Sequence, residues 1–255
     1  TLDIPMASVS DAREAYTPTH ALEASPYFQS LNGTWKFQWV ADPSQASTAF
    51  FEDGFDASGW EEIEVPSTWQ VYGIRHGKEW DKPLYVNAAY PFTYDGNTWD
   101  VMADRPDWYS YNNKMKNPVG SYRREFMLPE EWKGRDVMLR FNGAGHGYYV
   151  WVNGEFVGYA EDSYLPSEFD ITDKLRSGKN NIAVRVYRFT SGSFLECQDY
   201  WRMTGITRDV YLWSAPKTRI DDFFFRTTAL KDGNSAAESA LTVAVSGKKM
   251  KKTTV

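Results

Sequence analysis

Apolar and polar residues alternate with a period of two in several short stretches of the chain. In residues 35–39, two polar side chains separate three aromatic ones, which places the aromatic rings on one face of an extended strand. The alternation recurs with aliphatic and aromatic residues at 63–65, 137–141 and 182–186. Each of these stretches predicts a short strand with one buried face.

Turn and helix signals agree with a chain made mainly of strands. In residues 150–157, Asn153 and Gly154 supply the two positive-φ positions of a type I′ turn, which predicts a β-hairpin. One helical turn is predicted near 172–176, ended by Gly178 in a left-handed conformation. Many short strands without strand–helix alternation predict an all-β fold, an antiparallel sandwich.

The pattern divides the chain into three segments. Residues 1–29 contain three prolines and predict an extended lead-in, residues 30–216 predict the sandwich, and 217–255 predict the start of a second, incomplete β-sandwich domain. Residues 92–117 form a polar, aromatic-rich stretch that is too long for a simple connection, and loops of that length are usually functional. A chain that begins without Met is expected to be part of a longer polypeptide.

Composition excludes several classes of function. The 255 residues carry a formal charge of -6, which disfavours nucleic acid as a partner, because binding to phosphates relies on clustered Lys and Arg. No apolar run reaches about 18 residues, so we expect no transmembrane helix and no membrane partner. We expect a soluble protein whose compartment the sequence leaves open, with the cytoplasm and the periplasm of a bacterium as the alternatives. The three His residues lack metal-ligand spacing, and zinc is not implied. The 11 Trp residues fit a large sandwich core or a sugar-stacking surface.

Four stretches, in order along the chain, carry recognisable motifs. They are Phe-Asp-Ala-Ser-Gly-Trp with a following Val-Pro and Trp at 55–69, the hairpin at 150–158, Ser-Tyr-Leu-Pro-Ser-Glu-Phe-Asp at 163–170, and Asp-Tyr-Trp-Arg-Met-Thr-Gly-Ile-Thr-Arg at 199–208. Together they resemble signatures of the family 2 glycoside hydrolases over residues 30–215. Tyr-Val-Asn-Ala-Ala-Tyr-Pro at 85–91 and Leu-Glu-Cys-Gln-Asp-Tyr-Trp-Arg at 195–202 single out the beta-galactosidase branch. Cys197 departs from the acid that other members often carry.

The resemblance implies a fold for this chain and places catalysis in a separate domain. It implies a jelly-roll, galactose-binding-like sandwich followed by an immunoglobulin-like domain. Both catalytic glutamates of the family lie on a separate eight-stranded barrel, so no catalytic residue is expected in this chain, and the chain is expected to be inactive alone. Asn87 would lie at the edge of the substrate pocket, and Asp199 would contact the galactosyl unit and a bound sodium ion. Magnesium is expected only in the missing catalytic domain, and this chain itself requires no cofactor.

The chemistry of these two residues suits binding. A carboxylate accepts hydrogen bonds from sugar hydroxyls and coordinates a hard cation, while an amide donates to one hydroxyl and accepts from another. Two structural alternatives stay open: Asn87 is a turn residue, and Asp199 forms an ion pair with Arg202 or Arg208. Trp201 and Arg202 are expected to buttress the loop that carries the aspartate.

Three hypotheses of function follow. The first is a non-catalytic domain of a retaining beta-galactosidase, whose partners are a beta-galactoside and the barrel and other domains of the same polypeptide, in a homo-oligomeric parent. The second is a stand-alone carbohydrate-binding module. The third is a domain that serves oligomer assembly alone. A family 2 beta-glucuronidase or beta-mannosidase is the nearest enzymatic alternative to the first.

Overall fold

A computed structural model describes residues 5–14, 23–86, 117–196, 200–231 and 236–247. Within these ranges the protein consists mainly of strands, and all of the strand pairs are antiparallel. Two larger sheets pack face to face, and three two-stranded ladders accompany them. The architecture confirms the all-β antiparallel sandwich that the alternation predicts.

The strands, numbered in chain order, form five sheets in the described ranges. The six-stranded sheet has the spatial order β3 (Glu61–Val65), β2 (Gly33–Val40), β5 (Val119–Met127), β11 (Lys179–Tyr187), β8 (Gly147–Val152) and β9 (Glu155–Ala160). The four-stranded sheet has the order β1 (Phe28–Ser30), β14 (Val210–Ala215), β6 (Asp136–Phe141) and β10 (Ser167–Asp170). The two-stranded ladders are β4 (Leu84–Val86) with β12 (Tyr200–Arg202), β7 (Ala144–Gly145) with β13 (Gly205–Ile206), and β15 (Arg219–Lys231) with β16 (Ala236–Ser246).

Helices are short in the described part of the chain. The α-helices are α1 (Val9–Glu14) and α2 (Trp69–Arg75), and 3-10 turns occupy Pro43–Gln45, Glu130–Trp132, Thr172–Lys174 and Ser191–Phe194. The 3-10 turn at Thr172–Lys174 is the predicted helical turn, and Gly178 follows it with φ +81°. The sequence pattern did not predict α2. Its first two residues, Trp69 and Gln70, are fully buried, so tertiary contacts stabilise this short helix.

The core lies between the two larger sheets. Trp35 and Phe37 of β2 are buried as the alternation predicts, whereas Trp39, nearer the end of that strand, is only partly buried. The predicted apolar faces of β3, β6 and β11 join the same core. Tight packing explains why position 120 is a glycine. A Cβ there would lie 2.7 Å from the Phe37 ring and 2.8 Å from the Trp69 ring.

The hairpin between β8 and β9 forms as predicted. Asn153 and Gly154 have φ values of +51° and +83°. The Asn153 side chain also donates to the Lys174 carbonyl at 2.8 Å and to Asn180 Oδ1 at 2.7 Å. These bonds tie the turn to the neighbouring loop, which stabilises a residue that must adopt a positive φ.

The structure describes parts of the two segments that are predicted to flank the sandwich, residues 1–29 and 217–255. In the lead-in, Ser25 Oγ donates to the Pro5 carbonyl at 2.5 Å, and Trp132 Nε1 donates to the Pro26 carbonyl at 3.0 Å. Strand β1 begins at Phe28 and pairs with β14. At the other end, β15 and β16 form a long hairpin with each other. The proposed domain limits and the immunoglobulin-like character of the last segment stay predictions.

Candidate functional site

A short two-stranded ribbon, made of β4 and β12, lies beside the two main sheets. Its register pairs Leu84 with Arg202, Tyr85 with Trp201 and Val86 with Tyr200. Strand β4 belongs to the Tyr-Val-Asn motif and β12 to the Asp-Tyr-Trp-Arg motif, so the fold brings together two segments that are over 100 residues apart in sequence. We call this pair the β4–β12 ribbon.

The register has a direct consequence for the two sequence-predicted binding residues. Val86 pairs with Tyr200 at one end of the ribbon. Asn87 is the next residue after Val86, and Asp199 is the residue before Tyr200. Both Asn87 and Asp199 lie outside the described residues. The structure therefore establishes the pairing of their immediate neighbours, at the same end of one ribbon.

A buried arginine contacts β12 and the segment that leads into β4. Arg188 is fully buried, and its Nη2 lies 3.3 Å from the Lys82 carbonyl, two residues before β4, and 3.5 Å from the carbonyl of Arg202, the last residue of β12. Its Nη1 forms an ion pair with Asp81. Because one guanidinium donates to carbonyl groups of both segments, it ties them together where β4 begins and β12 ends.

Asp81 extends this network to the residues that follow the ribbon. Its Oδ2 accepts from Gln70 Nε2 at 3.2 Å, and its Oδ1 accepts from the Lys82 backbone N–H at 2.8 Å. Gln70 Oε1 in turn accepts from the Thr204 backbone N–H at 2.9 Å. The carboxylate and guanidinium charges are thus paired and hydrogen-bonded in the interior, which is the condition for burying ions without a large penalty.

The two expected buttress residues occupy different environments. Arg202 is 1% exposed, within the interior side of the ribbon, while Trp201 is 52% exposed. The burial of Arg202 suits a supporting role. Trp201 instead has about half of its surface exposed. The roles of both residues stay predictions.

The chain after the ribbon docks against the loop before α2. The Ser67 backbone N–H donates to the Ile206 carbonyl at 2.8 Å, and the Trp69 backbone N–H donates to the Thr204 carbonyl at 2.9 Å. Between them, Gly205 has φ +149°, and a Cβ there would lie 2.5 Å from the Ser67 carbonyl oxygen. Glycine is therefore required at this position of the Met-Thr-Gly-Ile motif.

On the other side of residues 197–199, Glu196 is anchored to the scaffold. Its carboxylate accepts hydrogen bonds from Ser163 and contacts His146 Nδ1 at 2.8 Å. Burial opposes ionisation of this carboxyl group, but the hydrogen bonds from His146 and Ser163 outweigh that effect, so the pKa of Glu196 lies below its ordinary value. Glu196 is therefore a carboxylate at neutral pH.

Sequence reasoning missed several of these residues. The signal for Arg188 was present, since the alternation of β11 continues at position 188 and puts a charged residue at a core-facing position. Asp81 lies in a loop, where the sequence has no hydrophobic period that would single it out as a buried residue. Of the His residues without metal-ligand spacing, His146 is buried, and the His76 ring stacks on the Tyr72 ring with 3.9 Å between the ring centroids.

An antiparallel sandwich hosts many unrelated functions, so the fold alone does not define the class of this protein. Residues 28–216 match the family described as glycosyl hydrolases family 2, sugar binding domain. The chain belongs to that family. The resemblance of the motifs is confirmed.

Relatives with known names agree with this family. The chain is 44% identical over 206 residues to a protein named beta-galactosidase from Priestia megaterium, covering 81% of this chain and 18% of that protein. It is 43% identical over 218 residues to a beta-galactosidase from Clostridium acetobutylicum, covering 86% of this chain and 23% of that protein. A solved beta-glucuronidase from Bacteroides uniformis has a TM-score of 0.55 at 25% identity, covering 80% of this chain and 20% of that one. The chain thus spans about a fifth of the length of these proteins.

Two further properties bear on ligands and location. In the described ranges, no group of three or more His, Cys, Asp or Glu side chains is arranged to hold a metal ion. Neither α1 nor α2 has the length and hydropathy needed to span a bilayer.

Proposed function

We propose that this chain is the non-catalytic sugar-binding domain of a retaining beta-galactosidase that hydrolyses terminal beta-D-galactosides. In this proposal Asn87 and Asp199 bind the galactosyl unit, and Asp199 also binds sodium together with ligands from the catalytic barrel. The proposed parent is a homo-oligomer. The two catalytic carboxyl groups, about 5 Å apart in a retaining enzyme, belong to the barrel.

One observation supports the site more than any other. The β4–β12 ribbon pairs Val86 with Tyr200, the direct neighbours of Asn87 and Asp199. An amide and a carboxylate that follow neighbouring strand positions are suited to bind hydroxyl groups of one hexose, because the amide both donates and accepts and the carboxylate accepts.

The donor set also fits sodium. Carboxylate and carbonyl oxygens are the ligands that hard cations prefer, and Asp199 supplies one such group. A bound cation would fix the direction of that carboxylate and neutralise part of its charge near the sugar.

A second candidate function is hydrolysis of beta-glucuronides by the same kind of assembly. The similarity in fold to a protein titled beta-glucuronidase favours it. A glucuronide carries a carboxylate at C6, so its pocket needs a cationic partner, whereas the proposed pocket contains a carboxylate from Asp199. The higher identity to proteins named beta-galactosidase supports the first candidate.

The test is to express the full-length polypeptide that contains this chain and to assay p-nitrophenyl beta-galactoside, beta-glucuronide and beta-mannoside. We expect hydrolysis of the galactoside in preference to the other two, and no turnover by residues 1–255 alone. Preference for the glucuronide or mannoside would replace the proposal with the alternative. Tight galactoside binding by the 255-residue chain alone would favour a stand-alone binding module.

A further inference from the structure

A cavity lies on the face of the six-stranded sheet that points away from the core. Its volume of about 570 Å³ falls within the range of about 300–1,000 Å³ that small-molecule sites occupy. We call it the outer groove, and its lining includes Lys36, Asp53, Phe55, Ser58, Arg123 and Asn181.

The register of the sheet explains the floor of the outer groove. Lys36 of β2 pairs with Glu62 of β3 on one side and with Arg123 of β5 on the other. One row along, Glu125 of β5 pairs with Asn181 of β11. These five residues alternate along their strands with residues of the core, so their side chains lie on the opposite face of the sheet.

The loop that precedes β3 forms the wall of the outer groove, and buried polar contacts join this wall to the floor. Arg123 is 9% exposed, and its Nη1 donates to the carbonyl groups of Phe50 and Glu52. The Arg123 guanidinium also lies over the Phe55 ring, 5.6 Å from its centroid. The fold therefore builds the outer groove before any ligand arrives, which lowers the cost of binding.

Asn181 supplies a buried acceptor to this lining. Its Nδ2 donates to Asp53 Oδ1 at 2.7 Å. A hydrogen bond from Arg176 lowers the pKa of Asp53, which is therefore a carboxylate and only accepts, so the amide nitrogen of Asn181 must face it. The other amide atom, Oδ1, is buried and has no hydrogen-bond partner among the described residues. Because an unpaired buried acceptor is costly, a hydroxyl group that donates to it would be bound favourably.

The charges of the lining do not favour an ionic ligand. Lys36 Nζ lies 2.8 Å from Glu62 Oε1, and Glu125 Oε1 lies 2.8 Å from Lys179 Nζ. Paired charges of both signs offer donors and acceptors without the field of one sign that would attract an anion or a cation. The partly exposed Phe55 adds an apolar surface beside these polar groups. Pyranose rings combine hydroxyl groups with apolar C–H faces, so they match such a lining.

We propose that the outer groove binds a neutral saccharide of one or two hexose units, with Asn181 Oδ1 accepting from a hydroxyl group and Phe55 packing against C–H groups. None of the described residues that line it belongs to the β4–β12 ribbon. The inference therefore does not rest on the proposed function.

The experiment uses the full-length polypeptide with maltose and cellobiose as probes, since neither is a beta-galactoside. Hydrogen–deuterium exchange maps where each sugar binds, and saturation-transfer NMR measures its affinity. We expect protection from exchange in the peptides covering 52–62 and 121–127. The dissociation constant should lie in the millimolar range, because a small polar ligand makes few contacts.

Two variants test the lining. Asn181→Leu removes the buried acceptor at similar size, and we expect affinity to fall about 5- to 10-fold. Ser58→Trp keeps that acceptor and fills the outer groove from an exposed position of its wall, so binding should be lost. Ser30→Trp is the matched control, because Ser30 is an exposed serine of β1 in the four-stranded sheet, and this variant should bind like the wild type.

Protection by either sugar that is lost in Ser58→Trp and kept in Ser30→Trp supports the proposal. Absence of protection by both sugars, or protection that Ser58→Trp leaves unchanged, contradicts it. Protection by L-glutamine in place of the sugars would assign the outer groove to a zwitterionic ligand and would also overturn the proposal. Galactoside hydrolysis is not part of this readout, so failure here leaves the proposed function standing, and failure of that function leaves this result valid.

Discussion

Val86 lies opposite Tyr200 at the end of the β4–β12 ribbon. This pairing brings the strands of the Tyr-Val-Asn and Asp-Tyr-Trp-Arg motifs side by side. Two segments that are separated by most of the domain in sequence thus become neighbours where the proposed sugar-binding residues follow. Three features of the scaffold next to the ribbon can be tested by substitution. They are the buried Arg188–Asp81 ion pair, Gly205 with its positive φ, and the hydrogen-bonded carboxylate of Glu196.

The buried ion pair at the base of the ribbon should contribute strongly to stability. Asp81→Asn keeps the shape of the side chain and tolerates the φ of +88° at this position, but it removes the carboxylate charge that pairs with the buried Arg188 guanidinium. We expect the free energy of unfolding of the 255-residue chain to fall by about 3–5 kcal/mol in chemical denaturation.

Two further variants separate charge burial from other effects. Adding Arg188→Met to Asp81→Asn removes the buried guanidinium as well, so the double variant should lose less stability than the sum of the single changes, with a coupling of about 1–3 kcal/mol. Glu62→Gln breaks the exposed pair of Glu62 with Lys36, 2.8 Å apart, and should cost less than about 1 kcal/mol. Equal losses for Asp81→Asn and Glu62→Gln would contradict this account.

Gly205 should not tolerate a side chain. Gly205→Ala combines a φ of +149° with a Cβ placed 2.5 Å from the Ser67 carbonyl oxygen, so we expect a loss of at least about 2 kcal/mol in the free energy of unfolding. Gly59→Ala is the matched control, because no atom lies within 4 Å of the point that its Cβ would occupy and its φ is not in the left-handed region. The control should lose less than about 1 kcal/mol. A similar loss for both glycines would show that the contact with Ser67 is unimportant.

The Glu196 anchor predicts a pH dependence of stability with a definite sign. Its pKa in the folded chain is lower than the ordinary value of 4.5, because the hydrogen bonds from His146 and Ser163 outweigh burial. The carboxylate therefore stabilises the fold above about pH 4.5 and loses this contribution as the pH falls through the lower, folded-state pKa.

Thermal denaturation of wild type and Glu196→Gln as a function of pH measures this contribution. We expect the difference in Tm between the two proteins to be largest above pH 4.5 and to shrink as the pH is lowered below it. A difference that stays constant across the acidic range would mean that the ionised carboxylate is not the stabilising form.

The strands of the sandwich could be predicted from sequence because each has one face in the core. The alternation at 137–141 became β6, and the Asn153–Gly154 turn formed where the pattern placed it. Burial on one side of a strand leaves a period of two in the sequence, and a two-residue turn that needs positive φ leaves its own signature. These are local signals.

The ribbon and its support could not be predicted in this way. Strands β4 and β12 have three residues each, which is too short to show a period, and their pairing joins distant segments. Helix α2 contains Gly73 and depends on the burial of Trp69, so its sequence lacks an independent helical signal. Asn87 and Asp199 came from the resemblance to a family, and the register of the ribbon supplies the physical reason to consider them together.

The most direct test of the central claim is the sodium dependence of galactoside hydrolysis by Asp199→Asn in the full-length polypeptide. The change removes the charge and keeps the size of the side chain, so it weakens both the cation site and the hydrogen bonds to sugar hydroxyls. We predict that kcat/KM falls by at least about 100-fold and that added sodium no longer raises it. Wild-type kcat/KM with an unchanged response to sodium would contradict the claim that Asp199 binds the sugar and the cation.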